Sequence, residues 1–174
     1  MSANSTSPQR QPGSVRDVMM TEVVTIEPKM TLVDLDRRLT EAAIGGAPVV
    51  EHGRLVGVVS RADALRALLE EQVGASRISA FYASPYPLSL PSLERLAQES
   101  RQLAERLSKI QVDEVMTPAP ETAVPDEDLR SVAKRMWTQS IHRMPVVKGE
   151  TLVGIITSLD LVGVIAQRGF SSES

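Results

Sequence analysis

The sequence predicts a mixed fold of helices and sheet (α+β, with a local α/β alternation) built from two copies of one β-α-β-β-α unit. Three observations carry that reading. An internal repeat runs through the chain without a gap: Ala47-Pro48-Val49-Val50 recurs as Met144-Pro145-Val146-Val147, 97 positions on. The same offset takes Val18-Met19 to Val115-Met116, Thr25 to Thr122, Pro28 to Pro125, Leu32 to Leu129, Leu55-Val56-Gly57 to Leu152-Val153-Gly154, and Asp63 to Asp160. Separated anchors held in one register mark a duplication and not a chance match. Within each copy the apolar pattern passes from a short β-branched run to helical spacing and back. The 174 residues are 42% hydrophobic but only 3% aromatic, so the core has to be aliphatic.

In chain order, residues 1–14 are rich in Ser, Pro, Gln and Asn and lack an apolar stretch, which reads as a disordered arm and not a signal peptide. The first repeat is expected over 15–72. Val23-Val24-Thr25-Ile26 is a β-branched run ended by Pro28, a short strand. Leu32, Leu35, Leu39 and Ala42-Ala43 then fall at helical spacing, with Gly45-Gly46 as the expected stop. Residues 47–50 and 55–59 are apolar strands joined by Glu51-His52-Gly53-Arg54, which suits a tight hairpin turn. Ser60 followed by Asp63 has the spacing of a capping box and opens a helix over 61–71.

The second repeat, over 112–168, follows the same plan. Leu129, Val132, Met136 and Ser140 share a helical face, Lys148-Gly149-Glu150 forms the turn, and Thr157 with Asp160 caps a helix over 158–168. Trp137, near a helix end, is expected to pack. In the closing helices Ala64, Leu65, Ala67, Leu68 and Leu69, and likewise Leu161, Val162, Val164 and Ile165, cover more than one stripe, which implies burial on two sides. One side faces its own sheet and the other faces the sister repeat or another chain, because a copy of roughly 55 residues buries too little apolar surface alone. Between the copies, the linker over 73–111 contains an irregular stretch at 81–91 with Pro85, Pro87 and Pro91. It also holds an amphipathic helix over 92–110 with Leu93, Leu96, Leu103, Leu107 and Ile110 on one face. Residues 169–174 form a tail.

Composition excludes several functions. A net charge of −3 provides no basic stripe, so nucleic acid is not an expected partner. No apolar run approaches bilayer length, and no membrane association is expected. The absence of cysteine excludes disulfides, thiolate zinc sites and cysteine nucleophiles, and fits a cytoplasmic setting. With two histidines, neither near a second ligand, and no Gly-rich phosphate loop, there is no nucleophile-base pair and no metal centre to name. The chain is not expected to be an enzyme.

Each copy resembles a CBS domain, named for cystathionine β-synthase, and the whole is similar to the tandem pair called a Bateman module. The resemblance rests on Asp17-Val18-Met19 and Glu114-Val115-Met116-Thr117-Pro118, on the Pro-Val-Val strands, and on the Gly-x-x-Ser/Thr-x-x-Asp endings at Gly57 and Gly154. It implies two repeats packed about a pseudo-two-fold axis, with half-sites in the clefts between them. These take adenosyl ligands (AMP, ADP, ATP or S-adenosylmethionine) as regulatory ligands, with no cofactor required. On that resemblance, Asp63 and Asp160 match the aspartate that holds the ribose hydroxyls, with Ser60 and Thr157 beside it. Thr25 and Thr122 match positions lining the base pocket, and Ala47-Pro48 and Met144-Pro145 match positions in apolar contact with adenine. His142-Arg143 precedes the second Pro-Val-Val strand where the first copy has Gly45-Gly46, so a phosphate is expected near Arg143, Thr157 and Asp160. Arg61 is the substitute cation in copy one.

The residues themselves leave Ser60 with Asp63, and Thr157 with Asp160, open as helix caps or as ribose ligands. The expected function is a stand-alone regulatory module that senses an adenosyl ligand, forms a homodimer and signals to a partner protein; the alternative is a ligand-free structural or dimerisation module.

Overall fold

The protein was analysed as a computed structural model that describes residues 13–69, 105 and 107–168. A 3-10 turn at Val15–Asp17 precedes α1 (Leu32–Glu41), the strands β1 (Gly46–Glu51) and β2 (Arg54–Ser60), and α2 (Arg61–Leu69). The second half repeats this order with α3 (Val112–Val115), β3 (Thr117–Pro118), α4 (Leu129–Gln139), β4 (Arg143–Lys148), β5 (Thr151–Thr157) and α5 (Ser158–Arg168). The arm up to residue 12, the stretch at 81–91, most of the helix expected over 92–110 and the tail at 169–174 lie outside the described residues. Leu107 lies inside them, helical and fully buried against the core of the first repeat. No helix among the described residues is long and apolar enough to cross a membrane.

Local chemistry explains the elements. Thr31 and Asp128 cap α1 and α4 by accepting from the amides of Asp34 and Ser131. The apolar positions Leu32, Leu35, Leu39 and Leu129, Val132, Met136 are buried, as their spacing requires. In the first hairpin His52 and Gly53 both take positive φ (49° and 82°), the requirement of a tight two-residue turn that a right-twisted hairpin favours.

Three features depart from the sequence expectation. Residues 23–26 form no strand: Ile26 alone bridges Val49, and Ala123 alone bridges Val146. Ile26 donates to Pro48 and accepts from Val50. The next bonds of a parallel ladder would need N–H groups from Pro48 and Pro28, which have none, so prolines confine the ladder to one bridge. The helices also stop earlier than Gly45-Gly46: the left-handed residues are Ala43 (φ 53°) and its equivalent Ser140 (φ 54°). Gly46 is needed for closeness instead, because a Cβ there would lie 2.7 Å from the Val59 carbonyl oxygen. Trp137 does not pack; it is 85% exposed.

The sheet runs β1-β2-β5-β4, with β3 on β2. Its halves meet where Arg54 pairs with Thr151, residues 97 apart and therefore each other's repeat equivalents. Only a pseudo-two-fold axis pairs a position with its own counterpart. The same axis relates the isolated bridges: Met20 to Ile155 matches Thr117 to Val58, and Ser14 to Asp128 matches Gln111 to Thr31.

These bridges also show that the head of each repeat lies on the other repeat. The amides of Val15 and Arg16 donate to Glu127 and Pro125, while that of Val112 donates to Met30. Val15 is fully buried in the second repeat's core and Val112 in the first's. Fully burying a valine contributes about 1.5–3 kcal/mol, so each half stabilises its neighbour. Gly57 and Gly154 permit this exchange: a Cβ at Gly154 would lie 2.8 Å from the Met20 carbonyl oxygen, and one at Gly57 would lie 2.9 Å from that of Thr117. Val58 and its equivalent Ile155 share one core cluster, so the apolar interior continues from one half into the other.

Candidate functional site

The two conserved-spacing endings fold alike at first. Ser60 donates from its amide (2.9 Å) and hydroxyl (2.6 Å) to Oδ2 of Asp63, while the Asp63 amide donates back to Ser60 Oγ at 3.2 Å. Thr157 and Asp160 reproduce the set at 2.7, 2.8 and 3.3 Å. Both are capping boxes that satisfy orphan amides at the first turns of α2 and α5. They also place a carboxylate beside a helix N-terminus, where partial positive charge favours anions.

Around these boxes the two copies diverge. In the first, Arg66 Nη1 donates to Oδ1 of Asp63 at 3.1 Å, so both oxygens of that carboxylate are engaged and its side chain is 4% exposed. Arg61 turns onto α1: its Nε donates to Asp36 Oδ1 at 2.7 Å and its Nη2 to Thr40 Oγ1 at 2.8 Å. That ion pair is buried, with side-chain exposures of 11% and 2%.

In the second copy, position 66 becomes Gly163, and among the described residues nothing lies within 4 Å of where its Cβ would stand. Asp160 is half-buried, with Oδ2 in the cap. Arg143 lies directly across the β4-β5 register from Thr157 and shares its face of the sheet. Burial pushes the guanidinium pKa of Arg143 down from its ordinary value. The register thus brings Arg143, Thr157 and Asp160 together. The position matching Arg143 is Gly46, where the Val59 carbonyl excludes any side chain.

The other site residues expected from sequence scatter. Ala47 and Met144 are enclosed in the core clusters of their own repeats, and Pro48 and Pro145 are buried in the strands. Thr25 is exposed and lines a cavity of about 440 Å³ with Glu27, Lys29, Glu51 and His52, apart from Asp63. Thr122 is half-buried, and its carbonyl accepts from Arg135. The His142 carbonyl accepts from the Ser158 amide at 2.8 Å. His142 also lines a groove of about 420 Å³ between α4 and α5, with Ala133, Met136, Trp137 and Leu161.

Sequence reasoning missed Asp36, Thr40 and Arg66 in this region, while Arg61, expected as the substitute cation, is held by the first two. Asp36, Thr40 and Arg61 of the first copy correspond to Ala133, Trp137 and Ser158 of the second, so the polar bridge between α1 and α2 is replaced by the α4-α5 groove. The signal lay in the differences at the repeat offset, since Asp36 and Arg61 are lost together; Arg66 against Gly163 is a further difference of this kind.

Comparison with known proteins agrees with the geometry. A family profile described as the CBS domain matches residues 15–70 and 112–167. Protein MJ1426 of Methanocaldococcus jannaschii is 32% identical over 154 residues, spanning 85% of this chain and 88% of that one. The CBS domain of a CBS-domain-containing membrane protein from Sphaerobacter thermophilus has a TM-score of 0.66 at 30% identity, covering 89% of each chain. The CBS domain pair of protein MJ0100, solved in complex with 5'-methylthioadenosine and S-adenosyl-L-methionine, has a TM-score of 0.58 at 25% identity, covering 87% of this chain and 98% of that one. Two tandem matches, falling on two halves related by a pseudo-two-fold axis, establish that this chain belongs to the CBS-domain family as a tandem pair.

Proposed function

We propose that the module is a regulatory sensor of an adenosyl ligand, either an adenine nucleotide or S-adenosylmethionine, and that it signals to a partner protein. The observation that carries this reading is the grouping of Arg143, Thr157 and Asp160 at the start of α5. A carboxylate can accept from both ribose hydroxyls, and a guanidinium with a helix N-terminus can hold phosphate or carboxylate. The complex of MJ0100 with adenosyl compounds supports the ligand class for a pair of this fold. Thr122 and Pro145 on the neighbouring segments complete the proposed lining; Thr25, Pro48 and Ser60 with Asp63 are their equivalents in the first repeat. Regulation follows if the ligand prefers one packing of the two halves. The role is binding and not catalysis.

Thermal unfolding with millimolar AMP, ATP, S-adenosylmethionine or NADH tests the reading. A ligand at a hundred times its dissociation constant adds about 2.7 kcal/mol to stability. A shift with an adenosyl compound is the expected result. No shift with any of the four would leave an empty structural module.

The module also forms a homodimer in this reading. Leu159, Val162 and Ile165 make an uncharged, half-exposed stripe on α5, with Trp137 exposed on the adjoining α4. Among the described residues this second apolar side of the helix stays half-exposed, which favours another chain as its cover.

A further inference from the structure

We infer that each chain takes one adenosyl ligand, in the second repeat, because the first repeat has closed the equivalent site with its own arginines. The inference rests on the adenosyl reading above and assigns its stoichiometry. In copy one the carboxylate that would meet the ribose is occupied: Oδ2 of Asp63 holds Ser60 and Oδ1 holds Arg66. The cation nearest the helix start, Arg61, is bound to Asp36 and Thr40 between α1 and α2. No cation can be supplied across from Ser60, because Gly46 has no room for a Cβ. A ligand there would have to break a part-buried ion pair for its sugar and a buried one for its phosphate.

Copy two differs at each of these positions. Gly163 replaces Arg66, Ser158 replaces Arg61 and Ala133 replaces Asp36, while Arg143 replaces Gly46. Asp160 therefore faces a ligand without an arginine from its own helix closed over it, and a guanidinium stands across the strand pair. Arg66 is the residue that most directly decides which repeat is open.

Isothermal titration of the full chain with AMP and, separately, with S-adenosylmethionine reads this out. The expected result is one equivalent bound per chain, affinity reduced at least tenfold by Asp160→Asn, and affinity held within about twofold by Asp63→Asn. The asparagine keeps an oxygen for the cap, and the stoichiometry of the parent chain needs no variant at all. Two equivalents per chain, or equal losses in both variants, would overturn the inference and leave the adenosyl reading standing. No heat with either probe, together with no thermal shift, overturns both. Arg66→Ala is expected to add a second, weaker event with S-adenosylmethionine, which carries no phosphate; a stoichiometry that stays at one overturns the role given to Arg66.

Discussion

Asp36 and Arg61 show how one repeat can differ from its copy at a buried position without losing the fold. Desolvating both charges is costly, and their mutual attraction offsets that cost only while both are present. Asp36→Ala alone is expected to destabilise the protein by about 3–5 kcal/mol in denaturant unfolding, because Arg61 is left buried without its carboxylate. Asp36→Ala with Arg61→Ser installs the residues that copy two carries, and is expected to recover much of that loss. If the double variant is no more stable than the single one, the pair is not the unit described here. The legibility of single residues followed how local their roles are. Ser60 with Asp63 and Thr157 with Asp160 were readable because a capping box needs a fixed spacing of three. Gly46 was misread as a helix stop because glycine serves both left-handed backbone and close approach, and only the nearby Val59 carbonyl distinguishes them.

The elements owe their arrangement to the exchange of heads between repeats. Met19 and Met20 lie over Gly154 on β5, and Met116 and Thr117 lie over Gly57 on β2. Gly154→Ala inserts a methyl group 2.8 Å from the Met20 carbonyl oxygen, a contact that backbone must move to relieve. The expected cost is about 1–3 kcal/mol by denaturant unfolding; an unchanged midpoint would mean that the exchanged segment is not held there. Helices α1, α4 and α5, both hairpins and the repeat itself were legible from apolar period and turn chemistry. The exchange was not. Local pattern does not show that Val15 and Val112 are buried on the opposite half, because it carries no information about partners in the other repeat. The missing first strands were likewise a matter of neighbours: the β-branched run makes one bridge, and Pro28 and Pro48 deny it a ladder.

For the molecule as a whole, the pseudo-two-fold axis makes the halves interdependent while their side chains make them unequal. The fold depends on what the repeats share, and the proposed ligand site on where they differ. The apolar stripe of α5 has the same origin, since Ala133, Trp137 and Ser158 leave α4 and α5 without the polar bridge that joins α1 and α2. Light scattering at micromolar concentration is expected to give the mass of a dimer, and Val162→Glu to shift it towards a monomer. A parent chain of monomer mass would remove α5 as the contact. The most direct test of the account is a crystal structure of the full chain grown with whichever of AMP, ATP and S-adenosylmethionine raises its unfolding temperature. Density for the ribose against Asp160, with the phosphate or carboxylate reaching towards Arg143, is the predicted result; a ligand held by Asp63 with Arg66 displaced, while Asp160 contacts none, would contradict it.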